Sequence, residues 1–190
     1  MSQGLGIAGY AIYRKGELKG TPGSHYTYVM AGNGLLVGAR NELLTGVVVL
    51  APAEVRGLMP TRTGVQLYHG KIPAGIYRGV LILMGMDRQR ELYLAVTWEE
   101  GKYNLRMPSQ ERSAAGVTYE KWPNTVLELH SHPGFPASFS ATDDADEQGF
   151  RLYGVVGRLD LPQPECSFRL GIYGHFMPLE WGDIFEEEQP

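Results

Sequence analysis

The stretch Thr125-Val-Leu-Glu-Leu-His130-Ser-His132-Pro-Gly134 constrains the fold of this chain more than any other segment. Thr125–Leu129 is a largely apolar run and reads as a buried strand leading into His130. Residues two apart on a strand point to the same face, so His130 and His132 converge on one point. Pro133 keeps His132 extended, because the residue before a proline is pushed out of the helical region. Pro133-Gly134 and Pro136 then stop the strand and open a loop. Ser140 suits a helix N-cap, and the Ala-Thr-Asp143-Asp-Ala-Asp-Glu-Gln that follows reads as a helix with Asp143 in its first turn.

Two imidazoles and one carboxylate brought together this way make a three-ligand metal site with a position left for water. Catalytic zinc has that arrangement, whereas structural zinc is usually enclosed by four protein ligands. The ligand types suit zinc, with Fe(II) open on ligand chemistry alone. A plainer reading stands beside it: Ser140-x-x-Asp143 also has the pattern of a capping box, and the helix dipole favours acidic residues in a first turn. The combination with His-x-His-Pro favours the metal site.

His130-Ser131-His132-Pro133, together with Ser140 and Asp143, resembles the signature of the JAMM (MPN+, JAB) metalloproteases, a family that includes zinc isopeptidases acting on ubiquitin-like proteins. The flanking sequence, from Val126 through Phe139-Ser-Ala-Thr-Asp-Asp144, looks closer still to the PRTRC system protein A branch. Those proteins are encoded in bacterial plasmid-type gene clusters beside a ThiF-like activating enzyme and a small ubiquitin-like protein. The resemblance implies a mixed α/β (α+β) fold, a central β-sheet flanked by helices in the MPN, cytidine-deaminase-like manner. It implies Zn2+ held by His130, His132 and Asp143, with Ser140 stabilising an oxyanion and an upstream glutamate acting as general base. It also implies a ubiquitin-like substrate and a ThiF-like partner, with hydrolysis of an amide or isopeptide bond at the substrate's C-terminal tail. The alternative is a zinc-stabilised scaffold without catalysis, since the family also contains inactive relatives.

The base is where the chain departs from the usual pattern. Ile72–Met84 has apolar residues at helical spacing with Pro73 placed for a first turn, and Leu92–Trp98 reads as a strand. Glu91 sits where that helix gives way to that strand, as the resembled architecture asks. Pro52-Ala-Glu54-Val-Arg-Gly57 copies the family's local pattern better but lies far upstream of the histidines. Glu128 shares strand parity with the histidines and is a third candidate.

The remaining chain bounds the answer. With 190 residues and 43% hydrophobic content there is enough for one core, and 20% charged residues argue against disorder. A net charge of −4, with no basic block, gives no electrostatic support for nucleic-acid binding. The lone Cys166 fits a reducing cytoplasm and reads as an inert thiol. No signal peptide or membrane span is expected. Tyr26–Met30, Gly34–Gly38 and Gly46–Ala51 read as short strands, so residues 1–68 form a β-rich N-terminal extension ahead of the metalloprotease-like domain at 69–190. Further strands are expected at Lys102–Met107, Gly116–Tyr119, Leu152–Gly157 and Ser167–Tyr173.

Overall fold

A computed structural model describes residues 6–112, 117–119 and 122–186. Two six-stranded sheets dominate the fold. The first takes β1 (Ala8–Arg14), β2 (Glu17–Thr21), β3 (Tyr26–Ala31), β4 (Gly34–Arg40), β5 (Leu44–Pro52) and β6 (Gly64–Leu67), in the order β2-β1-β3-β4-β5-β6. After helix α1 (Ala74–Gly85) come β7 (Tyr93–Glu99) and β8 (Lys102–Arg106), then a small hairpin of β9 (Gln110–Arg112) and β10 (Val117–Tyr119). Next come β11 (Thr125–His132), α2 (Ala141–Asp146), β12 (Phe150–Gly157), β13 (Glu165–Ile172), β14 (His175–Leu179) and α3 (Trp181–Ile184). The second sheet has the order β14-β13-β12-β11-β7-β8. The mixed α and β architecture agrees with the fold class read from the sequence, and Gly116 of the expected strand lies outside the described residues.

Local chemistry explains the hairpins. Lys15-Gly16, Glu100-Gly101 and Tyr173-Gly174 each combine a positive-φ residue with a positive-φ glycine, between β1 and β2, β7 and β8, and β13 and β14. Two consecutive left-handed residues make the type I′ turn, whose twist matches that of the paired strands. Helix α1 turns Ala74, Tyr77, Val80 and Met84 inward at spacings of three and four, and Pro73 stands at its N-cap with extended ψ, just ahead of the first turn.

The two sheets share one hydrophobic core. Val37, Leu44 and Val48 of the first cluster with Leu94, Leu127, Leu129, Leu152 and Leu170 of the second, and α1 packs among them. Gly46 admits this contact, since a Cβ there would meet the Leu170 side chain at 2.6 Å. Leu127 and Leu129 therefore face the core, and strand alternation turns Glu128, His130 and His132 to the other face of the second sheet. β11 runs parallel to β12, so the chain must cross over between them, and α2 lies in that crossover. Among the described residues no helix is long and apolar enough to cross a membrane.

Candidate metal centre

His130 and His132 end β11 on the face away from the core, and their rings meet. Nε2 of His130 lies 3.2 Å from Nε2 of His132 and 3.1 Å from Oδ1 of Asp143. One ligand atom from each of the three residues falls within 4.8 Å of the others. Metal–ligand bonds of about 2.0–2.2 Å in tetrahedral geometry separate neighbouring ligand atoms by roughly 3.3–3.6 Å. The observed spacing is close to that, and the donor set of two imidazoles and one carboxylate suits a divalent transition metal. The residues present fit the ion.

Asp143 does two jobs with one carboxylate. Oδ2 accepts the backbone N–H of Ser140 at 2.5 Å while the Asp143 N–H donates to Ser140 Oγ at 3.2 Å, a complete capping box. Oδ1 is left to face His130. Burial pushes the Asp143 carboxyl up, but hydrogen bonding and charge from His130, with the Ser140 backbone and side chain, outweigh it and hold the group well below the usual carboxylate range. His132 is shifted down by burial and by the neighbouring His130, which favours the neutral, ligating imidazole.

The loop joining the ligands is strapped to the end of β12. Arg158 N–H donates to Phe135 O at 2.8 Å, Leu159 N–H to Pro133 O at 3.0 Å, and Ala137 N–H to Glu165 Oε2 at 3.2 Å. Gly157 permits this, because a Cβ there would stand 2.3 Å from Ala137 N. Phe139 of the loop lies edge-on to His130, with centroids 6.4 Å apart, whereas Phe135 is exposed.

The three candidate glutamates go to different places. Glu91 precedes β7, and its Oε1 lies 4.0 Å from His132 Nε2. Burial raises its pKa, with His130 pulling down and Asp143 pushing up, which moves this carboxyl toward the range useful for proton transfer near neutral pH. Glu128 shares the histidine face but is buried in an ion pair with Arg151. Glu54 is exposed on the loop that follows β5 of the first sheet. The structure thus brings together His130, His132, Asp143, Ser140 and Glu91, and leaves Glu54 on the other sheet.

Two residues that bond the backbone just after Glu91 were given no role of their own in the sequence. Ser131, fully buried, accepts the Leu92 N–H at 2.9 Å through Oγ, and its own N–H donates to Leu92 O at 3.0 Å. On the opposite side of β7, Gln110 accepts the Tyr93 N–H at 2.9 Å and donates to Tyr93 O at 3.0 Å. The β7–β8 ladder stops at Arg106 and Pro108 follows, which has no N–H, so the Gln110 side chain supplies the rung a backbone would have made. A hydroxyl inside an apolar strand was the available signal for Ser131. Gln110 carried none.

A half-buried His-His-Asp group at the end of a sheet strand, one member on a capped helix and a carboxylate beside it, is an arrangement that could hold a divalent metal. Residues 78–171 match the family model for prokaryotic homologs of the JAB domain. This segment, which contains every residue of the site, is a domain of the JAB (JAMM/MPN) family. No curated protein matches the chain.

Proposed function

We propose that this protein is a metal-dependent amidohydrolase that cleaves an amide or isopeptide bond at the C-terminal tail of a ubiquitin-like protein. The observation that carries the reading is Glu91, a partly buried carboxylate with raised pKa, 4.0 Å from a histidine of the triad. A scaffold needs the metal ligands alone; only catalysis needs a base at that position. His130, His132 and Asp143 would hold the ion, with zinc the favoured metal. When bound, zinc polarises a carbonyl and lowers the pKa of a coordinated water from about 16 to about 7. Glu91 takes the proton of the attacking water and returns it to the departing amine. Ser140, exposed beside Asp143, donates its hydroxyl to the carbonyl oxygen as charge builds there. Phe139 lines the loop side of the site.

A ubiquitin-like substrate and a ThiF-like activating partner follow from the resemblance of His130–Asp143 to the PRTRC branch. The half-buried reduced Cys166 suits a cytoplasmic setting. The test is hydrolysis of a ubiquitin-like protein carrying a fluorogenic amide at its C-terminus, with zinc-loaded parent and Glu91→Gln. Turnover by the parent, lowered about 10²–10⁴-fold in Glu91→Gln with unchanged zinc content, supports the assignment. Equal turnover by both proteins excludes Glu91 as the base.

A further inference from the structure

Helix α2 carries a metal ligand yet has little of its own to hold it in place. It has six residues, none of them buried, and its capping box ties the helix only to itself. Helices of this length are marginal without tertiary packing. What fastens it is a side chain from another strand. Arg169 of β13 points to the histidine face, because its register partner Tyr153 is paired in turn with Glu128. Its Nη1 donates to Asp144 Oδ1 at 2.6 Å, and its Nε and Nη2 donate to Glu147 Oε2 at 2.8 and 2.6 Å. The guanidinium lies between two rings, 3.8 Å from the centroid of Phe139 and 3.7 Å from that of Phe176. Arg169 and Glu147 keep only 8% and 6% of their side-chain surface exposed.

Each group that Arg169 grips borders the site. Phe139 precedes Ser140, Asp144 follows Asp143, and the Glu147 N–H at the helix C-cap donates to Asp143 O at 2.9 Å. We propose that Arg169 is the positioning residue of the metal centre, a buried clamp that fixes α2 so that Asp143 meets the two histidines. This role rests on the metal reading made above. The clamp needs a planar fork that bonds two carboxylates while both its faces stack on rings, which a lysine ammonium does not reproduce. The sequence offered a signal in retrospect: one charge inside the apolar run Phe168-Arg-Leu-Gly-Ile172.

The experiment measures Zn2+ affinity, by competition with a chromophoric chelator, and the visible spectrum of the Co2+-loaded protein. The variants are Arg169→Lys and the paired Arg169→Met with Glu147→Gln, which leaves no buried carboxylate without its cation. Val48→Ala, a truncation in the core on the first sheet, supplies a loss of melting temperature remote from α2. Both Arg169 variants are expected to weaken Zn2+ binding about 10–100-fold, the usual effect of losing an outer-shell partner of a ligand. Their Co2+ bands should lose intensity as water replaces Asp143, while Val48→Ala lowers the melting temperature and keeps the parent's affinity and spectrum. Parent-like Zn2+ affinity and Co2+ bands in both Arg169 variants would overturn the clamp, as would an equal loss of affinity in Val48→Ala. A parent that takes up neither metal removes the metal site and the clamp together, an outcome plainly different from tight binding indifferent to Arg169.

Discussion

Replacing Ser131 with alanine takes away one oxygen and tests how Glu91 is held. Ser131 and Leu92 are both buried, so the Leu92 N–H that donates to Ser131 Oγ at 2.9 Å has no access to water once the oxygen is gone. Leaving a buried donor unsatisfied costs about 1–3 kcal/mol. For a chain of this size each kcal/mol shifts the melting temperature by about 2–4 °C, so a fall of roughly 2–12 °C is expected for the metal-free protein. The second effect is on chemistry. Glu91 is bonded directly to Leu92, and a displacement of about 1 Å in a positioned catalytic group can cost about 10²-fold in rate. His130 and His132 stay on a strand paired on both sides to β7 and β12, so zinc content should not change. Thermal unfolding followed by circular dichroism gives the first quantity, and turnover of the fluorogenic amide at fixed zinc content gives the second. A Ser131→Ala protein that melts and turns over like the parent would refute the idea that this hydroxyl positions Glu91.

Three further outcomes follow from the same geometry. Ser140→Asn keeps a good N-cap for α2 but removes the hydroxyl, so stability should hold within about 0.5 kcal/mol while kcat falls about 10²–10³-fold; denaturant unfolding and steady-state kinetics measure the two separately. Gln110→Ala removes both bonds to Tyr93 and should lower turnover with zinc content unchanged, which elemental analysis beside the kinetic assay checks. In the metal-free protein the Asp143 pKa is depressed on folding, so at acid pH the unfolded chain binds more protons than the folded one. The stability Asp143 contributes is therefore present above its ordinary value of 3.8 and lost as pH falls below it, and unfolding of Asp143→Asn should show a shallower acid limb than the parent.

Much of the site could be read from the chain because its geometry is local. His130 and His132 converge by strand parity alone, and Ser140 caps the helix that carries Asp143, so a few consecutive residues encode the triad. Glu91 was legible only through the order of elements, a helix and then a strand, since no short pattern surrounds it. The supports were hidden for the opposite reason. Arg169 reaches α2 across more than twenty residues, and Gln110 reaches Tyr93 by taking a backbone's place after Pro108. In the fold, β1, β2, β6, β9 and β14 were not among the expected strands, and the turns before β2 and β14 use Lys15-Gly16 and Tyr173-Gly174 in place of the Asn-Gly or Asp-Gly that usually marks a type I′ hairpin. The shared core between the sheets depends on Leu170 entering the space above Gly46, a long-range fit that periodicity does not encode.

The central claim is that His130, His132 and Asp143 hold a divalent metal, and elemental analysis by plasma mass spectrometry tests it most directly. Tag-free protein, reconstituted with Zn2+ and freed of excess ion, would be compared with His132→Ala. The account predicts close to one zinc per chain in the parent and loss of it in the variant. A parent that retains no zinc after reconstitution, or a His132→Ala protein that keeps it, would contradict the account.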